Sequence, residues 1–272
     1  MSPDRLAGPE ATCDHGAGGN DSWQPMSGST RRAVVTGAAS GIGAAVAERL
    51  LDEGVSVLAV DVDETRLASF ADARGCDALV ADLADLDQRA HVVERAGEID
   101  YLVNAAGIIQ LKPIFEVTVE DWRRIHTVNA EAVFFLCGAL GPNMRRGGAI
   151  VNVSSSSAKM SSTTEAAAYA ASKAAVVSIS RSYAYALAPH VRVNAICPGI
   201  TDTPMQERVL EDVARIRQMT VADLRAARNA TVPLGRSASP AECAGVIHFL
   251  LSSEAGYLTG QAINFTGGMI TW

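Results

Sequence analysis

No stretch of the sequence approaches the ~18 consecutive apolar residues that a membrane-spanning helix needs, so neither a span nor a membrane partner is expected. Cysteine is sparse: Cys13, Cys76, Cys137, Cys197 and Cys243 are scattered, odd in number and free of CxxC pairs. That pattern argues against a disulfide framework and reads as reduced thiols in a cytoplasmic protein. The histidines, His15, His91, His126, His190 and His248, form no HxxxH or HExxH pair, and no metal site is expected. Basic residues are outnumbered, 23 Lys and Arg against 30 Asp and Glu, for a formal charge of −7. An acidic balance favours solubility and argues against nucleic acid as a partner.

Small and apolar residues are abundant. The 272 residues are 48% hydrophobic with only 5% aromatics, a mix suited to helices packed closely on a sheet and long enough to bury a core. The first 30 residues are rich in Gly, Ser, Pro and Asp, without apolar periodicity or the apolar segment of a secretory signal. A disordered tail is expected over residues 1–30.

From Arg32 onward, short apolar runs alternate with helical stretches. "AVVTG" reads as a buried strand and "SGIGAAVAERLLDEG" as a helix closed by Gly54. Further strands are "VSVLAVD", "CDALVADL", "IDYLVNAAG", "GAIVNVS", "VRVNAICPG" and "QAINFTGG". Helices lie between them, including a short one at "LDQRAHVVERAG", a long one over about 119–146 and another from Thr164 to about Pro189. Strands apolar on both faces and separated by helices predict a parallel sheet covered on both sides. The expected fold is therefore α/β, one doubly wound domain over residues 31–272. Residues 203–239 depart from this rhythm, read as two helical pieces, and sit where a substrate lid is expected.

After the first strand, "TGAASGIG" sets Gly37, Gly41 and Gly43 at the opening of a helix. Glycine lets the backbone turn tightly and approach a diphosphate, while the helix N-terminus offers free N–H groups. Glycine serves any tight strand–helix turn equally well. Asp61, ending the second strand, is positioned to accept hydrogen bonds from an adenosine ribose, or else to cap the next helix. A carboxylate there repels a 2′-phosphate, and no Arg or Lys follows at Val62 or Asp63; NAD is favoured over NADP. Asp82, ending the third strand, contacts an adenine or is a loop residue.

Tyr169 and Lys173, four apart, share one face of a helix. A phenol with a pKa near ~10 is a poor base at neutral pH, and a neighbouring ammonium lowers that value. Such a tyrosine can take a proton from an alcohol or give one to a carbonyl.

Together the residues resemble the short-chain dehydrogenase/reductase family. The matches are "TGAASGIG" at 36–43, "NAAG" at 104–107, Asn129 in "HTVNAEAVF", "IVNVSS" at 150–155, "YAASK" at 169–173 and "CPGITDT" at 197–203. They stand in the family's order and span Arg32 to the C-terminus. The resemblance implies a Rossmann-type sheet binding NAD and an oxidoreductase with Tyr169 as acid/base. Lys173 would lower the phenol pKa and bond the nicotinamide ribose. Asn129 would hold a water in a proton relay. Ser40 and Ile42 would join the three glycines of the phosphate loop, and Leu83 would stand beside Asp82. Asn104, Ala105, Ala106 and Gly107 would line the cofactor, with Pro198, Gly199, Thr201 and Thr203 running past its carboxamide and diphosphate. The family commonly forms tetramers through the helices at 119–146 and 165–188, so a homotetramer is expected.

Two departures stand out. The segment between Asp82 and Ile99 is short for the family, so its helix is expected to be abbreviated. The substrate-orienting serine, counted back thirteen positions from Tyr169, falls on Ser156; counted from the strand "IVNV", it falls on Ser155. The strand is the rigid reference and loops tolerate insertions, which favours Ser155. Gln110, Lys159 and Glu165 border the pocket and suit a hydroxylated substrate such as a polyol, sugar or hydroxy acid. The lid arginines 208, 215, 217, 225 and 228 alternate with acids and read as a solvated face. Competing readings are a 3-oxoacyl thioester reductase, which would favour NADP, and a non-catalytic dinucleotide sensor.

Overall fold

Strands buried on both faces decide the architecture. The computed structural model describes residues 30–160 and 163–272; the expected disordered tail lies outside them except for Thr30. Seven strands, β1 (Arg32–Thr36), β2 (Ser56–Asp61), β3 (Asp77–Val80), β4 (Tyr101–Asn104), β5 (Gly148–Val153), β6 (Val191–Pro198) and β7 (Ala262–Phe265), form one sheet. Its order is β3-β2-β1-β4-β5-β6-β7, with every neighbouring pair parallel.

Successive strand residues point to opposite faces, so Ala33 and Val35 of β1 enter one core and Val34 the other. The first core is closed by α1 (Gly41–Asp52) and α9 (Pro240–Leu251), through Val46, Leu50, Ile247 and Leu250. The second is closed by α3 (Leu86–Ala96), α5 (Ala132–Leu140) and α6 (Ala167–Leu187), through Val92, Leu136 and Val176. Burying each such side chain contributes roughly 1.5–3 kcal/mol relative to exposure. Among the described residues no helix is long and apolar enough to cross a membrane.

The chain leaves β1 for β2 and β3 on one side and returns to β4 on the other. A crevice opens where that order reverses, at the carboxyl ends of β1 and β4. Asp63 accepts from the Arg66 N–H at 3.0 Å and caps α2 (Glu64–Arg74), which leaves Asp61 free of the capping role.

Two elements differ from the sequence expectation. The long helix is interrupted: α4 (Val119–His126) passes through a π-helical turn at Thr127–Glu131 before α5 begins. The cause is tertiary, because Asn129 within that turn is held by groups on two other segments. The helix after β3 has eleven residues, no fewer than α2. Residues 203–239 are helical in two pieces, α7 (Pro204–Arg217) and α8 (Val221–Asn229), joined by a small cluster of Leu210, Ala214 and Leu224.

Candidate active site

The β1–α1 turn depends on having no side chains. Gly37 and Gly41 adopt φ of +69° and +58°, a region that disfavours a Cβ. A Cβ on Gly37 would lie 2.8 Å from the Ala106 backbone, and one on Gly43 only 2.1 Å from the Gly37 carbonyl oxygen. Ser40 caps α1 in extended conformation, its hydroxyl makes no capping bond, and no acid occupies the first turn. Ile42 packs against the first core. This is a cradle of backbone N–H groups shaped for an anionic diphosphate, so a dinucleotide fits the residues present.

The Asp61 carboxylate stands at the rim of that cradle. Its Oδ2 accepts from the Ala39 N–H at 2.9 Å and its Oδ1 from the Asp63 N–H at 3.0 Å. Asp82 is exposed and accepts from the Ala84 N–H at 2.9 Å, while the Leu83 side chain is buried in the second core. The "NAAG" segment divides in two. Ala105 and Ala106 donate their N–H groups to Thr36 Oγ1, each at 3.2 Å, which ties the end of β4 to the end of β1. The Asn104 side chain instead turns into the core, donating to Asn152 Oδ1 at 2.8 Å; Asn152 in turn donates to Ser180 Oγ at 2.9 Å. Any contact of Asn104 with a cofactor is therefore left to its backbone.

On the far side of the crevice, Pro198 ends β6, and a Cβ on Gly199 would lie 3.1 Å from the Thr266 backbone. Thr201 is buried, with a backbone bridge to Ala238 and no partner for its hydroxyl among the described residues. Thr203 caps α7 by accepting from the Gln206 N–H at 3.2 Å, and its methyl lies 3.2 Å from where a Gly41 Cβ would be. Helix α7 therefore starts against the turn between β1 and α1.

Strand β5 and helix α6 bring the polar groups of the centre together. Lys173, only 4% exposed, donates from Nζ to the Val153 carbonyl at 2.8 Å. Burial lowers its pKa to about 8. Tyr169 is half-buried; burial raises its phenol, and the neighbouring Ser155 side chain partly offsets this. The expected lowering of the phenol by Lys173 is not found here. The ammonium lies 5.9 Å from the ring centre and is engaged with Val153 instead.

The four serines have different partners. Ser154 Oγ donates to the Lys173 carbonyl at 2.7 Å and clamps β5 to α6. The Ser155 side chain lies beside the phenol, which it shifts downward, and accepts from the Ser157 N–H at 3.1 Å. Ser156 and Ser157 start a 3₁₀ turn (Ser156–Ala158), and their hydroxyls make no hydrogen bond among the described residues. Asn129 is wholly buried: Oδ1 accepts from the Ile108 N–H at 2.8 Å, and Nδ2 donates to the Ile108 carbonyl at 2.9 Å and to Ser172 Oγ at 3.0 Å. Gly107 lies beside both, since a Cβ there would sit 3.2 Å from Lys173 Nζ and 3.3 Å from Asn129 Oδ1. Thr36, Ser154 and Ser172 were not singled out from sequence, although each lies within or beside a matched motif.

The rim residues are tied to the protein. Lys159 Nζ donates to the Ala262 carbonyl at 2.9 Å, Gln110 donates to Asp121 at 3.0 Å, and the Lys112 N–H bonds the Glu165 carbonyl at 2.8 Å. The Lys112 ammonium beside Asp121 holds that carboxyl well below the usual range. Between α7 and α8, Arg225 pairs with Glu207 at 2.6 Å. Arg228 departs from the solvated-face expectation: it is half-buried without an acidic partner among the described residues, and burial lowers its pKa.

A family model described as Enoyl-(Acyl carrier protein) reductase matches residues 37–270. A 3-oxoacyl-[acyl-carrier-protein] reductase from Thermotoga maritima is 38% identical over 249 residues, covering 87% of this chain and 96% of that protein. A galactitol 2-dehydrogenase from Agrobacterium fabrum is 36% identical over 246 residues, covering 87% and 96%. An actinorhodin polyketide ketoreductase variant solved with NADPH has a TM-score of 0.82 at 31% identity, covering 89% of this chain and 98% of its own.

Proposed function

The chain belongs to the short-chain dehydrogenase/reductase family of oxidoreductases, and on that premise we propose that it is an NAD-dependent enzyme interconverting a secondary alcohol and a ketone. The substrate class is a polyol, sugar or hydroxy acid. The observation that carries this reading is the convergence of three side chains: Ser155 at the end of β5, beside the Tyr169 phenol, and the buried Lys173, whose ammonium reaches the Val153 carbonyl two residues before Ser155. Residues 31–272 act as one catalytic domain, with 203–239 as its lid.

A bound nicotinamide supplies the hydride acceptor or donor. Gly37, Ser40, Gly41, Ile42 and Gly43 would hold the diphosphate, Asp61 the ribose, and the segments at Asp82–Leu83, Asn104–Gly107 and Pro198–Thr203 the rest. Ser155 donates to the substrate oxygen and orients it against Tyr169. Tyr169 takes the hydroxyl proton during oxidation and returns it during reduction. As a buried cation, Lys173 favours the phenolate once the proton has been passed on. Asn129 holds a water that links Lys173 to solvent. The buried free thiols Cys137, Cys197 and Cys243 suit a reducing compartment, the cytoplasm.

The test is a screen of purified protein with NAD against polyols, sugars, hydroxy acids and cyclic alcohols, followed by nicotinamide absorbance. At least one should turn over. Tyr169→Phe should lose about 10²-fold or more, Ser155→Ala about 10²–10³-fold, and Ser156→Ala almost nothing. No turnover with any substrate, or full activity in Tyr169→Phe, would overturn the reading. The Thermotoga maritima relative favours a second reading, reduction of a 3-oxoacyl thioester. The same screen run with such a thioester and NADPH separates the two. A sensor that needs no chemistry would keep its function in Tyr169→Phe.

A further inference from the structure

Ser172 sits between Tyr169 and Lys173 on α6, and none of its side chain is exposed. Its hydroxyl donates to the Tyr169 carbonyl at 2.7 Å and accepts from Asn129 Nδ2 at 3.0 Å. A hydroxyl has one proton to give. Donation to the helix carbonyl three residues back fixes the rotor and turns a lone pair toward the π-helical turn. Asn129 therefore donates to a hydroxyl whose orientation is fixed by the Tyr169 carbonyl.

Asn129 is thereby held from two sides. The Ile108 N–H and carbonyl fix which way round its amide lies, with Oδ1 facing the Gly107–Lys173 side. Ile108 belongs to the segment after β4, however, and not to the helix that carries the acid/base pair. Ser172 supplies the tie to that helix, one residue before Lys173. We propose that Ser172 is a positioning residue that sets the distance between Asn129 and the Tyr169–Lys173 pair, and so acts on turnover through Asn129. This rests on the oxidoreductase reading above.

Without the hydroxyl, Asn129 Nδ2 keeps Ile108 but loses its link to α6. Displacement of a supporting group by about 1 Å is enough to cost up to about 10²-fold in rate. Ser172→Ala should therefore lower kcat by about 10–100-fold while KM for the alcohol stays within about threefold of wild type. It should also move the pH profile of kcat, because the surroundings of Lys173 change. Ser172→Thr retains an oxygen able to bond the same carbonyl from within a helix and should recover most of the rate.

The decisive experiment is a double-mutant cycle with Asn129→Ala, using the alcohol that turns over fastest with NAD and recording the melting temperature of each variant. If Ser172 acts through Asn129, Ser172→Ala should change kcat little in the Asn129→Ala background. A Ser172→Ala enzyme within about twofold of wild-type kcat would overturn the proposal. So would effects of the two substitutions that multiply, or a Ser172→Thr enzyme as slow as Ser172→Ala at wild-type melting temperature. Wild-type protein that turns over no alcohol or ketone overturns the oxidoreductase reading and this one with it, whereas an active wild type with an unaffected Ser172→Ala overturns this one alone.

Discussion

Substitution of Asp61 by asparagine separates charge from shape at the rim of the cofactor crevice. The carboxylate accepts from two backbone N–H groups, Ala39 at 2.9 Å and Asp63 at 3.0 Å. Asparagine keeps one acceptor oxygen and loses the other together with the charge. A hydrogen bond to a charged group contributes about 1.5–3 kcal/mol, so the variant should lose no more than about that in stability. The larger effect falls on cofactor choice. Two unit charges about 4 Å apart repel by about 4 kcal/mol at an effective dielectric of about 20, which is nearly 10³-fold. Asp61 is half-exposed, and salt screens exposed charges, so a preference for NAD of about 10²-fold in kcat/KM is the working expectation. In Asp61→Asn the ratio should fall to about 10 or less. Initial rates with NAD and NADP at one fixed salt concentration measure both ratios, and melting temperatures separate binding from folding. Equal use of the two cofactors by the wild type would refute the reasoning, as would an unchanged ratio in the variant.

Lys173 titrates near 8 in the folded chain against 10.5 when unfolded. Between these values the unfolded chain binds more protons, so this group's contribution to stability rises with pH across that window. The stability advantage of Lys173→Met should be largest below pH 8 and narrow toward 10.5 in urea titrations; a gap independent of pH would contradict the burial argument. A homotetramer is the expected assembly, and the outward aromatic faces of α4, α5 and α6 support it: Trp122, Phe134, Phe135 and Tyr185 are all exposed. Light scattering should report four chains, fewer in Phe135→Asp, and a monomeric wild type would refute this reading.

The strand–helix alternation was legible because apolar periodicity is local. β5 has all six residues buried and stands out as an apolar run, whereas α1 shows a one-sided pattern ending near Gly54. The phosphate loop was legible for a similar reason, since a positive φ at Gly37 and Gly41 requires glycine wherever the rest of the chain lies. Other features had no local signal. Nothing near Asn129 announces a π-helical turn, because the partners that hold it are Ile108 and Ser172, 21 and 43 residues away. The arginines of α7 and α8 look alike in sequence, yet Arg225 finds Glu207 and Arg228 is half-buried.

By itself the sequence determined the order of elements, the glycine turn and the placing of Tyr169 and Lys173 on one helical face, since each follows from spacing along a single segment. Only the tertiary structure decided that Ser154 bonds the Lys173 carbonyl and that the Ser155 side chain lies beside the phenol. It alone turned Asn104 toward Asn152 and away from the crevice, and it set Lys173 against Val153 rather than the tyrosine. In each case the outcome depends on which strand ends beside which helix. That register comes from packing two cores at once, and no local spacing encodes it.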